Sequence, residues 1–103
     1  MNAINLLIGG KDQSAANQRT FQRLNPISGE IATIVAAASI DDALRAADAA
    51  AAAFPAWSRL SPGERRKRLN AAADALARNA AEFTALMMAE TGATAGWAGF
   101  NVH

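Results

Sequence analysis

The apolar positions fall into two kinds of pattern, which change over near residue 38. Before that point they come in short runs bounded by turn residues. Residues 4–8 (INLLI) are an apolar run stopped by Gly9 and Gly10, which predicts a strand entering a turn. The polar stretch that follows, KDQSAANQ, has no periodicity and predicts no element. TFQRL at 20–24 predicts a second strand. It runs into Asn25-Pro26-Ile27-Ser28-Gly29, where proline presets the backbone and glycine supplies positive φ. EIATIVA at 30–36 is β-branched and follows at once, so the two runs predict a hairpin.

From Ser39 onward the spacing becomes helical. Ser39 can cap free N–H groups, and Asp41 and Asp42 fall in the first turn, where the helix dipole favours negative charge. Ile40, Leu44, Ala47, Ala51 and Phe54 keep the helical spacing, and Pro55 is expected to end the helix. Ser61-Pro62-Gly63-Glu64 opens a second helix with a capping box and proline at the first helical position. Leu69, Ala73, Leu76, Ala80, Phe83 and Met87 form one apolar stripe, so this helix is expected over 62–91, with Gly92 as its stop. Residues 93–103 (ATAGWAGFNVH) read as the beginning of another helix or as a glycine-loosened turn. They close the chain without a polar tail or cap, and a truncated sequence is expected.

Composition changes this picture in one respect. The 103 residues are 51% hydrophobic, but much of that is alanine, which buries little area. With four Phe, two Trp and three Met, the core is expected to be marginal, and the chain alone molten or aggregated. Ten basic and nine acidic residues give a net charge of +1, with no pull toward nucleic acid or an anionic membrane. No signal-peptide pattern and no membrane-length apolar run occur, so a cytoplasmic location is the default.

Candidate chemistry is sparse. With no cysteine there is no thiol nucleophile, no disulfide and no thiolate metal site. His103 has no second His or Cys beside it, which leaves metal binding without a ligand set and a Ser-His-Asp arrangement without force. Arg65, Arg66, Lys67 and Arg68 could be a nucleic-acid patch, but Glu64 adjoins them and a solvated helix face is the better account. Glu82 and Glu90, eight apart on one expected helix, could pair as acid and base or be ordinary surface carboxylates. No phosphate-cradling glycine motif occurs, and Gly92, Gly96 and Gly99 have the spacing of close helix packing. Trp97 and Phe100, three apart, would share a helix face as packing residues or as an aromatic wall for a planar apolar ligand.

The order of these features resembles the N-terminal region of the aldehyde dehydrogenase superfamily. LLIGG is similar to the family's opening strand, FQRLNPISGEIATIVAAAS to its N-P-x-[ST]-G-E hairpin, and IDDALRAADAAAAAFPAWSRLSPGERRKRLNAAADAL to its helix pair. FTALMMAETGAT is similar to its E-T-G-K helix end, with Ala93 where the family usually has lysine. The ending WAGFNVH looks like the bacterial branch that oxidises salicylaldehyde, benzaldehyde or vanillin. The resemblance implies an α/β fold, the N-terminal piece of the aldehyde dehydrogenase fold. It would have strands and a hairpin over 1–38, then two long helices and the start of a third over 39–103. It implies a parent enzyme using NAD or NADP, a small aldehyde substrate, and a homodimer or homotetramer. Trp97 and Phe100 would then line the substrate tunnel. In that family a cysteine thiolate attacks the aldehyde and a glutamate activates water. The cysteine is absent here and the cofactor strands lie further along in the family, so this segment is expected to be inactive alone. A different class of reading is a non-enzymatic helical interaction module docking through its alanine-rich helices.

Overall fold

The computed structural model describes residues 2–103. The chain forms β1 (Leu6–Ile8), β2 (Lys11–Gln13), β3 (Thr20–Leu24) and β4 (Ile31–Ala36), followed by α1 (Ile40–Ser58), α2 (Pro62–Arg78), α3 (Ala80–Thr91) and α4 (Ala95–Val102). It divides into two compact units. One holds residues up to Arg23 together with Thr33–Arg59. The other holds Leu24–Ala32 and Leu60–His103.

In the first unit, Gly9 and Gly10 both take positive φ, at 59° and 75°. A two-residue turn with that geometry matches the twist of antiparallel strands. It pairs β1 with β2 in the register Leu6↔Gln13, Leu7↔Asp12 and Ile8↔Lys11. The polar run after the glycines is therefore a strand, which periodicity alone did not predict. The turn decides it, because an edge strand of three residues needs no apolar face. Ile4 adds a parallel bridge to Val35: the Ile4 N–H donates to Ile34 O at 2.7 Å and the Ala36 N–H to Ile4 O at 2.9 Å. β3 and β4 pair as the expected hairpin.

The Ser39 cap is a full reciprocal box. Its Oγ accepts from the Asp42 N–H at 3.2 Å, and the Asp42 carboxylate accepts from the Ser39 N–H at 2.9 Å. α1 does not stop at Pro55 but continues to Ser58. A proline in the final turn forfeits one backbone bond and leaves the other three N–H groups of that turn free to pair. The Ser58 hydroxyl then donates to Pro55 O at 2.8 Å, satisfying one of the terminal carbonyls.

The second unit corrects the expected long helix. The stretch 62–91 is two helices, broken at Asn79, whose φ of −107° and ψ of 18° leave the helical well. Among the described residues there are thus four helices rather than two and the start of a third. Asn79 Nδ2 donates to Ala75 O at 2.8 Å, so the side chain competes with the helical ladder. Of the reciprocal bonds expected at Ser61, the structure shows the serine arm, with Glu64 N–H to Ser61 Oγ at 3.1 Å. Gly92 ends α3 in the left-handed conformation, as expected. The residues after it resolve the open alternative: α4 is a helix, capped by Thr94.

The apolar stripes do not close into a core. Among the described residues the buried apolar side chains are Ala15, Ala36 and Ala98, whereas Leu44, Phe54, Leu69 and Phe83 are exposed.

Candidate functional site

α4 is built by local rules. Thr94 Oγ1 accepts from the Trp97 N–H at 3.3 Å, and Asn101 Nδ2 donates to Trp97 O at 2.9 Å. Ala98 is fully buried and marks the inner side of the helix. Trp97 and Phe100 lie on the outer side, 57% and 71% exposed. Their rings stack, with centroids 5.6 Å apart and planes 23° from parallel. The structure therefore brings the two sequence-predicted residues together as one aromatic surface. Such a surface offers its face to a planar ligand and has no acid, base or nucleophile of its own.

The other candidates are dispersed. Glu82 and Glu90 both fall on α3, with Glu82 exposed and Glu90 half-buried. His103 is exposed after the last turn of α4. Arg68 pairs with Glu64 at 3.4 Å and Arg65 Nη1 donates to Leu60 O at 3.0 Å, so half of the basic cluster is engaged within its own helix and cap. No group of three or more His, Cys, Asp or Glu that could hold a metal occurs among the described residues.

Sequence reasoning missed Asp42 as a structural centre. Its side chain is 1% exposed. It accepts from the Ser39 N–H and hydroxyl, from the Ala16 N–H at 3.1 Å, and from Arg45. The Ser39 N–H is foremost in lowering its pKa to about 2, burial opposes it, and the Ala16 N–H, Ser39 hydroxyl and Arg45 reinforce it. Its position beside a capping serine was the available signal.

Two apolar hollows accompany these features. One, of about 350 Å³, lies between residues 7–10 and the alanines Ala46, Ala49, Ala50 and Ala53 of α1. The other, of about 410 Å³, is lined by Asn25, Ile27, Ser28, Ala85, Met88, Ala89 and Ala93.

The aldehyde dehydrogenase family model matches residues 13–103. The chain belongs to the aldehyde dehydrogenase family. It is 55% identical over 98 residues to a vanillin dehydrogenase from a Pseudomonas strain, covering 95% of this chain and 20% of that protein. It is 43% identical over 89 residues to a salicylaldehyde dehydrogenase from Pseudomonas putida, covering 86% of this chain and 18% of the relative. The crystal structure of a Pseudomonas putida salicylaldehyde dehydrogenase complexed with salicylaldehyde superposes with a TM-score of 0.92 at 41% identity, over 96% of this chain and 20% of that one. The segment is thus similar to the aromatic-aldehyde branch and spans about a fifth of the length of these relatives. The strands followed by helices are the corresponding part of the aldehyde dehydrogenase fold.

The lining of the two hollows differs from what a dinucleotide requires. Its pyrophosphate needs a glycine-rich cradle of backbone N–H groups or a cationic clamp. Both hollows are instead lined mainly by alanine and other apolar side chains. No buried side-chain polar atom among the described residues is left without a partner to meet one.

Proposed function

We propose that this segment is part of an NAD(P)-dependent enzyme that oxidises an aromatic aldehyde to the carboxylic acid. The observation that carries the reading is the 55% identity to a vanillin dehydrogenase along 95% of the chain. The segment has no cysteine. The attacking thiolate would therefore be supplied by a residue outside these 103, and the family resemblance places the water-activating carboxylate and the dinucleotide site outside them as well. The segment's own part is to present Trp97 and Phe100, whose exposed stacked rings suit the face of an aromatic aldehyde. A cytoplasmic homodimer or homotetramer belongs to the same proposal, by kinship with the bacterial relatives.

A chimera tests it. This chain replaces the matching segment of the Pseudomonas vanillin dehydrogenase, and formation of reduced nicotinamide is followed with aromatic and aliphatic aldehydes. The chimera is expected to be active and to prefer aromatic aldehydes. Trp97→Ala is expected to lower kcat/KM for aromatic aldehydes roughly tenfold, as loss of one ring contact of 0.5–1.5 kcal/mol plus its buried area would. An unchanged ratio between the two substrate classes would remove Trp97 from the substrate path. The 103-residue chain alone is expected to reduce neither NAD nor NADP.

A further inference from the structure

The aromatic surface of α4 hangs on a short junction. Only Gly92, Ala93 and Thr94 separate α3 from α4. Each end of that junction is pinned: the Gly92 N–H donates to Met88 O at 3.0 Å, the Ala93 N–H to Thr91 Oγ1 at 3.3 Å, and the Trp97 N–H to Thr94 Oγ1 at 3.3 Å. The backbone at Gly92, with φ of 72°, therefore sets the direction in which α4 leaves.

Against this point sits the turn of the β3–β4 hairpin, itself held rigid. Asn25 Oδ1 accepts from the Ile27 N–H at 2.9 Å and the Ser28 N–H at 3.2 Å. The Gly29 N–H donates to Asn25 O and the Asn25 N–H to Glu30 O, each at 2.8 Å. A Cβ at position 92 would lie 3.0 Å from Pro26 Cγ and 3.4 Å from Ile27 Cγ1. A Cβ at Gly96 or Gly99 would meet nothing within 4 Å. Between the same turn and Ala85, Met88 and Ala89 a hollow of about 410 Å³ stays open. Close approach of the turn is thus concentrated at Gly92.

The geometry points to Gly92 as a positioning residue: by admitting the 25–29 turn onto the α3–α4 junction, it sets where Trp97 and Phe100 stand. As a claim about catalysis, this rests on the reading of those two rings as substrate-facing. It adds that the hairpin turn tunes aromatic selectivity through the junction.

The test uses the active chimera and three variants. Gly92→Asn keeps a residue that tolerates positive φ but adds the Cβ that meets Pro26. Gly92→Asn combined with Pro26→Ala removes the obstructing ring atom. Gly99→Ala is the control. Gly92→Asn is expected to raise KM for aromatic aldehydes roughly tenfold, as loss of a contact made equally in the ground and transition states does, with KM for aliphatic aldehydes and kcat for both unchanged. The double variant is expected to recover most of that loss, and Gly99→Ala to show none. Fluorotryptophan labelling gives a readout independent of turnover. The Trp97 resonance, assigned by its loss in Trp97→Phe, is expected to shift in Gly92→Asn and return in the double variant. Unaltered kinetics and an unmoved resonance would overturn the proposal, as would an equal loss for both substrate classes that the second substitution does not relieve. If the resonance moves and returns while aromatic selectivity stays constant, the positioning stands and the substrate-facing reading of Trp97 fails.

Discussion

Asp42 shows how one side chain can join elements that are distant in sequence. Its carboxylate closes the capping box with Ser39, receives the Ala16 N–H from the loop before β3, and pairs with Arg45 one turn on. Because its pKa is lowered to about 2 in the folded chain, against about 3.9 for a free aspartate, it stabilises the fold fully above about pH 4. That stabilisation is lost as the pH falls toward the folded value. Acid should therefore release the Ala16 and Ser39 amides first. In the chimera, the protection of those two amides against hydrogen exchange, taken relative to the intrinsic rate at each pH, is expected to fall between about pH 4 and 2, and the step should vanish in Asp42→Asn, where the titrating group is gone. An identical pH profile in the variant would assign the acid sensitivity elsewhere. In the chimera, Ser39→Ala, which removes the serine arm of the same box, is expected to lower stability to denaturant by about 1 kcal/mol.

At the scale of elements, the boundary between α2 and α3 is the most mutable feature. Asn79 leaves the helical well and bonds Ala75 O through its side chain, yet the Phe83 N–H still donates to Asn79 O at 3.1 Å. Only one residue interrupts the ladder. Asn79→Ala removes the competing amide and adds the best helix former, so α2 and α3 are expected to fuse, with a gain of about 0.5 kcal/mol and higher helical content by circular dichroism. A break that survived would place its cause in packing rather than in Asn79. The caps at Ser39 and Ser61, the glycine stop at 92 and the β3–β4 hairpin depend on neighbours within a few residues, and the pattern of residues reveals them. β2 escaped because its pairing is dictated by the Gly9-Gly10 turn and not by apolar alternation. α1 runs past Pro55 to Ser58 because proline forfeits its own backbone bond while the N–H groups after it can still pair. At the candidate site, the stacking of Trp97 on Phe100 was legible as a three-residue spacing. The approach of Pro26 to Gly92 and of Ala16 to Asp42 was not, since nothing local signals which distant backbone arrives.

For the molecule as a whole, the decisive fact is where its large apolar side chains are. The buried apolar residues among those described are three alanines, while Ile40, Phe54, Leu69 and Phe83 stand 81%, 64%, 61% and 47% exposed. Burying one such side chain fully is worth about 1.5–3 kcal/mol, so several of them left in water forgo most of what stabilises a small domain. No helix among the described residues is long and apolar enough to cross a membrane. Two occupants remain in contention: the other four-fifths of an aldehyde dehydrogenase chain, or a separate partner of an interaction module. The kinship favours the first. On that basis the isolated chain is expected to bind a dye specific for exposed apolar surface and to melt without a sharp transition. Mixing it with the complementary portion of the Pseudomonas vanillin dehydrogenase, a relative 55% identical over this segment, should lower the dye signal and bring a cooperative transition. A sharp melt of the chain alone would show that its two units are self-sufficient and their apolar faces dispensable. Dye binding that persists with the complementary portion present would mean that those faces evolved for some other surface.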